Sequence, residues 1–276
     1  MKQSPSDERM TTITAEEFKS RQKEIWALGR FADIAQFTTQ TAGHLVRFAG
    51  VSAGQRVLDV ATGTGVAAIT ARLKGAVVTG IDLAPSLLAQ AKESAAVAGI
   101  TDIAWQEADA EALPFPSSSF DVVLSQFGHM FAPRPEVAVA EMLRVLKAGG
   151  VLAFATWPPE QLIGRLFSLT ARYVSPPPGI PSPVLWGDVG VVQQRLAGKT
   201  RDLLFERGVM AVPSLSPQHS RLFQESKAGP FVRTVEILQK DPPRLSCWRQ
   251  EVEALISEYL RDNVVRNEYL LTRAVV

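Results

Sequence analysis

Cysteine is almost missing from the 276-residue chain: Cys247 stands alone. Neither an intrachain disulfide nor a cysteine-built zinc site is therefore available, and no metal site is expected. Histidine is scarce as well, at three residues, so few groups can exchange a proton near neutral pH. Neither sign of charge dominates, because 29 Lys and Arg face 28 Asp and Glu for a net charge of +1. With no basic stripe either, nucleic acid is not an expected partner. No uncharged apolar run approaches the roughly eighteen residues of a membrane span, and Met1 to Ala15 lacks the apolar centre of a secretory signal. What is present is ordinary. Hydrophobic residues at 46% and charged residues at 21% supply a sizeable core and exclude whole-chain disorder. A soluble, cytoplasmic globular protein is expected, with monomer and homodimer both open.

Residues 1–14 read as a flexible tail. From Ala15 to Phe48 apolar residues recur at helical spacing, among them Phe18, Ile25, Phe31, Phe37, Leu45 and Phe48, which predicts two helices within 15–50. The rhythm then changes. Arg56 to Ala61 is a short branched run ending in Thr62-Gly63-Thr64-Gly65, with a helix from Val66 to Leu73 behind it. Val77 to Asp82 is a second strand, followed by a helix from Pro85 to Ala98. Ile103 to Trp105 leads towards a strand end at Asp109. Phe120 to Ser125 is the fourth strand, Arg134 to Leu146 a helix, and Gly150 to Thr156 the fifth strand. Short apolar strands alternating with helices indicate an α/β fold with a doubly wound, mostly parallel sheet. The core of that fold is placed at 51–157.

Residues 158–276 are expected to complete a seven-stranded sheet. A helix over Glu160 to Tyr173 runs into the proline-dense Ser175 to Pro183, and a short helix follows Asp188. Leu203 to Val212 and Glu268 to Thr272 are the last two strands. Between them, Ser216 to Asn263 reads as helical with a break at Asp241-Pro242-Pro243. This insert, about 214–263, is expected to form a lid that selects substrate.

Ligands of open α/β sheets bind beyond the carboxyl ends of the strands, near the reversal of strand order. Four features converge there: the Gly63-Thr64-Gly65 turn, Asp82, Asp109, and the segment Ser125 to His129. Gly63 to Ala68 fits the dinucleotide pattern G-x-G-x-x-A, so an NAD(P)-dependent oxidoreductase is one candidate. Two features speak against it. Asp59, inside the first strand, suits a cationic amino-acid ligand better than a pyrophosphate, and the run Asp109 to Phe115 has no role in dinucleotide binding.

Val57-Leu58-Asp59-Val60-Ala61-Thr62-Gly63-Thr64-Gly65 resembles motif I of class I S-adenosylmethionine-dependent methyltransferases. The resemblance is to the subgroup of ubiquinone and menaquinone C-methyltransferases. Asp82-Leu83 looks like the family's ribose-binding acidic strand end. Asp109-Ala110, with Leu113-Pro114-Phe115, is similar to its D-A-x-x-L-P-F segment, whose aspartate and following amide contact adenine. Leu143 to Gly150 matches L-R-V-L-K-P-G-G, with Ala148 in place of proline, and Trp26, Gly29 and Phe31 resemble a W-x-x-G-x-Y segment. The likeness spans residues 24–157 and fades beyond Trp157.

The resemblance implies a Rossmann-like methyltransferase fold that binds S-adenosylmethionine and releases S-adenosylhomocysteine. It implies cofactor contacts from Asp59, Ala61, Thr62, Gly63, Thr64, Gly65, Asp82, Leu83, Asp109, Ala110 and Gln126, and methyl transfer to a small, hydrophobic acceptor. A noncatalytic protein that binds the cofactor has the same motifs and stays open as an alternative. His129, close behind the fourth strand, is the candidate base. Its alternative is a packed side chain among Phe127, Met130 and Phe131. The aromatic and apolar residues Trp26, Phe31, Phe127, Met130, Phe131, Trp157 and Trp186 are candidates for an acceptor pocket.

Overall fold

The computed structural model describes residues 13–276, so most of the expected tail, 1–14, lies outside the described residues. Two helices come first: α1 (Ala15–Leu28) and α2 (Phe31–Phe48). The start of α1 has a local cause that the apolar spacing does not reveal. Thr14 accepts from the Glu17 amide, and Glu17 accepts from the Thr14 amide in return, a capping box that satisfies two otherwise unpaired donors.

The sheet begins with β1 (Arg56–Val60), α3 (Val66–Leu73), β2 (Val77–Asp82), α4 (Pro85–Val97) and β3 (Ala104–Glu107). It continues with β4 (Phe120–Gln126), α5 (Pro135–Arg144), β5 (Leu146–Thr156), α6 (Leu162–Tyr173), α7 (Val189–Leu196) and β6 (Arg201–Pro213). Helices α8 (Pro217–Lys227), α9 (Gly229–Leu238) and α10 (Pro242–Tyr259) precede β7 (Leu260–Arg261) and β8 (Val264–Val275).

The strands lie in the order β3-β2-β1-β4-β5-β8-β6. The pairs from β3 to β5 are parallel, whereas β8 runs antiparallel to both β5 and β6. The order reverses between β1 and β4, where a doubly wound sheet opens a crevice. Leu58, Val60, Val123, Leu124, Leu152 and Phe154 are fully buried. Each such side chain contributes about 1.5–3 kcal/mol relative to exposure.

Several predicted boundaries change. β5 starts at Leu146 rather than Gly150, and its pairing with β4 shifts register between Phe120 and Val122. Asp109 lies two residues beyond β3, in an isolated bridge with Ala112, so it belongs to a loop and not to a strand end. The helical insert ends at Tyr259 instead of Asn263. Beyond it, the two-residue β7 pairs with β8 through a turn at Asp262 and Asn263, whose φ values are 50° and 60°. Two consecutive positive φ values match a tight hairpin, for which asparagine and aspartate are suited. This makes an eighth strand beside the expected seven.

The last strands position the site. β5 pairs with β8 only up to Leu270, opposite Thr156, while β6 follows β8 on to Val264. The β6–β8 ribbon thus overhangs the carboxyl edge of the parallel strands and carries α8 to α10 above it. That insert is tied to the N-terminal helices: the Arg30 amide donates to the Lys227 carbonyl at 2.9 Å, and Lys227 pairs with Asp33 at 2.6 Å.

Candidate active site

The loop after β1 is held by two buried carboxylates. Asp59 is 1% exposed, and its Oδ2 accepts from Thr62 Oγ1 at 2.5 Å and from the Ala68 amide at 3.0 Å. Its Oδ1 is buried without a partner among the described residues. Burial pushes its pKa up to about 7, against the opposing effect of those two donors. Asp82, at the end of β2, is also buried. Oδ2 accepts from the Gly63 amide at 2.8 Å and Oδ1 from the Ala84 amide at 2.9 Å, and burial raises its pKa. Asp82 therefore ties β2 to the glycine loop, with lone pairs left for a further donor.

The two glycines of the turn differ. A Cβ at Gly63 meets nothing within 4 Å among the described residues, so this backbone faces open space. Gly65, with φ of 83°, lies against the Trp105 ring, where a Cβ would come within 2.8 Å. The Gly63 backbone thus stays open, while Gly65 starts α3 against β3. Thr64 is buried between them, Ala61 is half-buried with φ of 53°, and Leu83 is half-buried beyond Asp82.

The loop after β4 closes on the loop after β1. A Cβ at Gly128 would stand 2.5 Å from both the Cβ and the carbonyl oxygen of Ala61, so only glycine allows this approach. Gln126 donates through Nε2 to the Thr38 carbonyl at 2.9 Å, and its Oε1 is buried without a partner among the described residues. Phe127, with φ of 61°, stacks on Trp157 at 3.8 Å and meets Tyr269 edge-on at 6.1 Å. On the other side, Trp26 packs on Phe31 at 5.1 Å and on Phe131 at 4.8 Å.

His129 is placed differently from the expectation. It is 1% exposed, with its ring 4.6 Å from Phe154 and 4.7 Å from Trp186. Neither ring nitrogen has a partner among the described residues. Burial, with the nearby charge of Arg195, holds its pKa down to about 3. A base needs both access to the acceptor and a pKa near the working pH, and His129 has neither. Met130 and Trp186, 2% and 1% exposed, pack into the same core rather than lining an open pocket. Arg195 caps Trp186, 4.3 Å from the ring.

Asp109 and the half-buried Ala110 lie over the β3 edge, but with a partner that sequence reasoning missed. Lys19 of α1 reaches Asp109 Oδ2 at 2.6 Å and Glu111 Oε2 at 2.7 Å. Glu111 in turn binds Arg134. His44 is also engaged, between Tyr269 Oη at 2.9 Å and Glu206 Oε1 at 2.7 Å. Lys19 also pairs locally with Glu16, at 3.0 Å, but its partners Asp109 and Glu111, like those of His44, are remote in the chain.

Residues 58–154 match the methyltransferase domain family. The chain is also 44% identical over 109 residues to a demethylmenaquinone methyltransferase of Thermus thermophilus, covering 39% of this chain and 49% of that protein. This chain belongs to the class I S-adenosylmethionine-dependent methyltransferases. S-adenosylmethionine is the cofactor of this methyltransferase. Likeness over the full length comes from the uncharacterized protein Rv1403c of Mycobacterium tuberculosis, 37% identical over 274 residues, 98% of this chain and 97% of that one. Among solved structures, the YcgJ protein of Bacillus subtilis superposes with a TM-score of 0.59 at 17% identity, covering 86% of this chain and 97% of that one. It shares the fold. The residues present fit a cationic amino-acid ligand, since Asp59 Oδ1, near the end of β1 and without a partner among the described residues, and the open backbone at Gly63, in the turn that follows, stand four residues apart.

Proposed function

We propose that this methyltransferase moves the methyl group of S-adenosylmethionine to a small, largely apolar acceptor by in-line displacement. The observation that carries the reading is the contact of the β1 and β4 loops at Ala61 and Gly128. Near that contact, at the sheet's reversal point, are the open backbone of Gly63 and two buried side-chain oxygens without a partner among the described residues, Asp59 Oδ1 and Gln126 Oε1.

In this reading, Ala61, Thr62, Gly63, Thr64 and Gly65 hold the methionine part of the cofactor, with Asp59 supporting its ammonium group. Asp82 and Leu83 hold the ribose, and Asp109 with the Ala110 amide the adenine. When bound, the cofactor supplies a methyl group on a sulfonium whose positive charge disappears in the transfer. The chain's own task is then alignment and exclusion of water. Gln126 and Phe127 border the acceptor, and the Phe127–Trp157 stack offers it an apolar wall. Trp26, Phe31 and Phe131 form a second aromatic group under the N-terminal helix. The insert α8–α10 acts as the lid. No base is assigned, which suits an acceptor that is already nucleophilic.

Demethylmenaquinone, which the relative's name carries, is the first compound to test, reduced to the quinol so that its ring is nucleophilic. The assay follows S-adenosylhomocysteine release with that quinol and a panel of phenols, thiols and amines. Calorimetry with S-adenosylhomocysteine and NAD reports cofactor choice separately. Asp82→Ala removes charge-assisted hydrogen bonds and is expected to weaken S-adenosylhomocysteine binding about 10- to 100-fold. Binding of NAD instead would sink the reading. Cofactor binding without turnover on any acceptor would leave a noncatalytic binding protein.

A further inference from the structure

Asp109 is oriented before any ligand arrives. Its Oδ1 accepts from the Glu111 amide at 2.8 Å, and its Oδ2 accepts from Lys19 Nζ at 2.6 Å. The Lys19 ammonium is committed in three directions, the other two being Glu111 Oε2 at 2.7 Å and Glu16 Oε1 at 3.0 Å. An ammonium has three hydrogens, so none is left for a ligand. A carboxylate, by contrast, has about four acceptor positions. Asp109 uses two, and its side chain is 24% exposed.

The surroundings explain why this lysine is stable where it is. Its side chain is 7% exposed and that of Glu111 is wholly buried. An ammonium so far from water needs charged partners close by. Glu111 is shared with Arg134, at 2.7 Å from Nη2, which spreads the acidic charge between α1, the loop after β3 and the start of α5. The surrounding carboxylates outweigh the cost of burial and push the Lys19 pKa up to about 12, so the ammonium stays charged throughout the neutral range.

We propose that Lys19 is a positioning residue for cofactor recognition. It fixes the plane of the Asp109 carboxylate so that the free acceptor positions meet the exocyclic amino group of adenine, and it makes α1 a wall of that pocket. The inference rests on the reading of Asp109 as the adenine contact. Its substrate-level consequence is selection of a 6-amino purine over a 6-oxo purine by a residue that touches neither.

The test is calorimetry on the full chain with S-adenosylhomocysteine and with S-inosylhomocysteine, which lacks the amino donor. The unaltered protein is expected to prefer the adenosyl compound at least about tenfold, the size of one lost charge-assisted hydrogen bond. Lys19→Met keeps the apolar stem and removes the charge. It is expected to reduce that preference to less than about threefold, mainly through weaker adenosyl binding, and Lys19→Arg to restore part of it. In a protein carrying Asp109→Ala, adding Lys19→Met is expected to change the preference no further. Lys19→Gln is the second variant should the methionine form fail to fold.

An undiminished preference in the Lys19 variants overturns the inference and leaves Lys19 as a pin for α1, visible only in the urea midpoint. Additive effects of the two substitutions overturn it as well. A wild-type protein that binds both compounds equally overturns the adenine reading of Asp109 itself, a separate failure.

Discussion

Replacing His129 with phenylalanine is expected to make the protein more resistant to acid while leaving the active site working. The ring is 1% exposed and its pKa in the fold is about 3, against 6.5 for an unperturbed histidine. Above pH 6.5 the ring is neutral in both folded and unfolded chains, and its protonation has no effect on stability. Below that value the unfolded chain takes up a proton that the folded protein refuses. Stability present above pH 6.5 is therefore lost as pH falls towards 3. The slope is about 1.4 kcal/mol per pH unit. Going from pH 7 to pH 5 crosses roughly 1.5 units of that window, so His129 costs about 2 kcal/mol.

Phenylalanine has no proton to bind, and it removes two unpartnered nitrogens from beside Phe154 and Trp186. Urea unfolding of both proteins at pH 7 and pH 5 isolates this contribution, because every other titrating group is common to the pair. The advantage of the His129→Phe protein is expected to grow by about 2 kcal/mol between the two pH values, with no change in the urea slope. Calorimetry with S-adenosylhomocysteine is expected to give equal affinities. An advantage that stays constant with pH would refute the buried neutral histidine. A variant that folds and binds cofactor but loses turnover would return His129 to the role of base.

Asp59 titrates in the opposite sense. Its pKa is raised from 3.8 to about 7, so the stability it contributes is full below 3.8 and is lost as pH rises through 7. Asp59→Asn is expected to remove that decline in urea unfolding between pH 4 and pH 7. If the Asp59 carboxylate supports the cofactor's ammonium group, S-adenosylhomocysteine binds the unaltered protein more tightly at pH 8 than at pH 6. A flat affinity would argue against that contact. Gly128→Ala forces a Cβ to within 2.5 Å of Ala61, and is expected to destabilise the fold by about 1–3 kcal/mol. It should also abolish S-adenosylhomocysteine binding, and unchanged binding in the calorimeter would show that the contact between the two loops is dispensable.

Legibility in the sequence followed the range of the interactions. β1, β2 and β4, their helices and the glycine turn were readable because each is specified within a few residues, by branched apolar runs and by glycines at positive φ. Asp59 and Asp82 were readable for the same reason, since they sit at or near the ends of those strands. The start of β5 is hard to read because Ala148-Gly149-Gly150 looks like a turn, and residues 147–150 do interrupt the ladder with β4, which pairs at Leu146 and resumes at Val151. The hairpin at Asp262-Asn263 reads as helix in the sequence because the β8 side of its pairing lies beyond the helical pattern.

His129 shows the limit most clearly. A histidine flanked by Phe127, Met130 and Phe131 has the same local sequence whether it faces a pocket or the core. Phe154 and Trp186, which decide the matter, come from β5 and from the turn before α7. Lys19 is the converse case, an unremarkable charge in an amphipathic helix whose carboxylate partner Asp109 stands 90 positions away. The sequence alone determined the doubly wound sheet, its glycine loop and hence the cofactor class, because those depend on backbone preferences set by neighbouring residues. Tertiary structure alone decided which histidine is buried, which carboxylates are paired and how α1 meets the loop after β3, because burial and ion pairing depend on which remote surfaces the chain brings together.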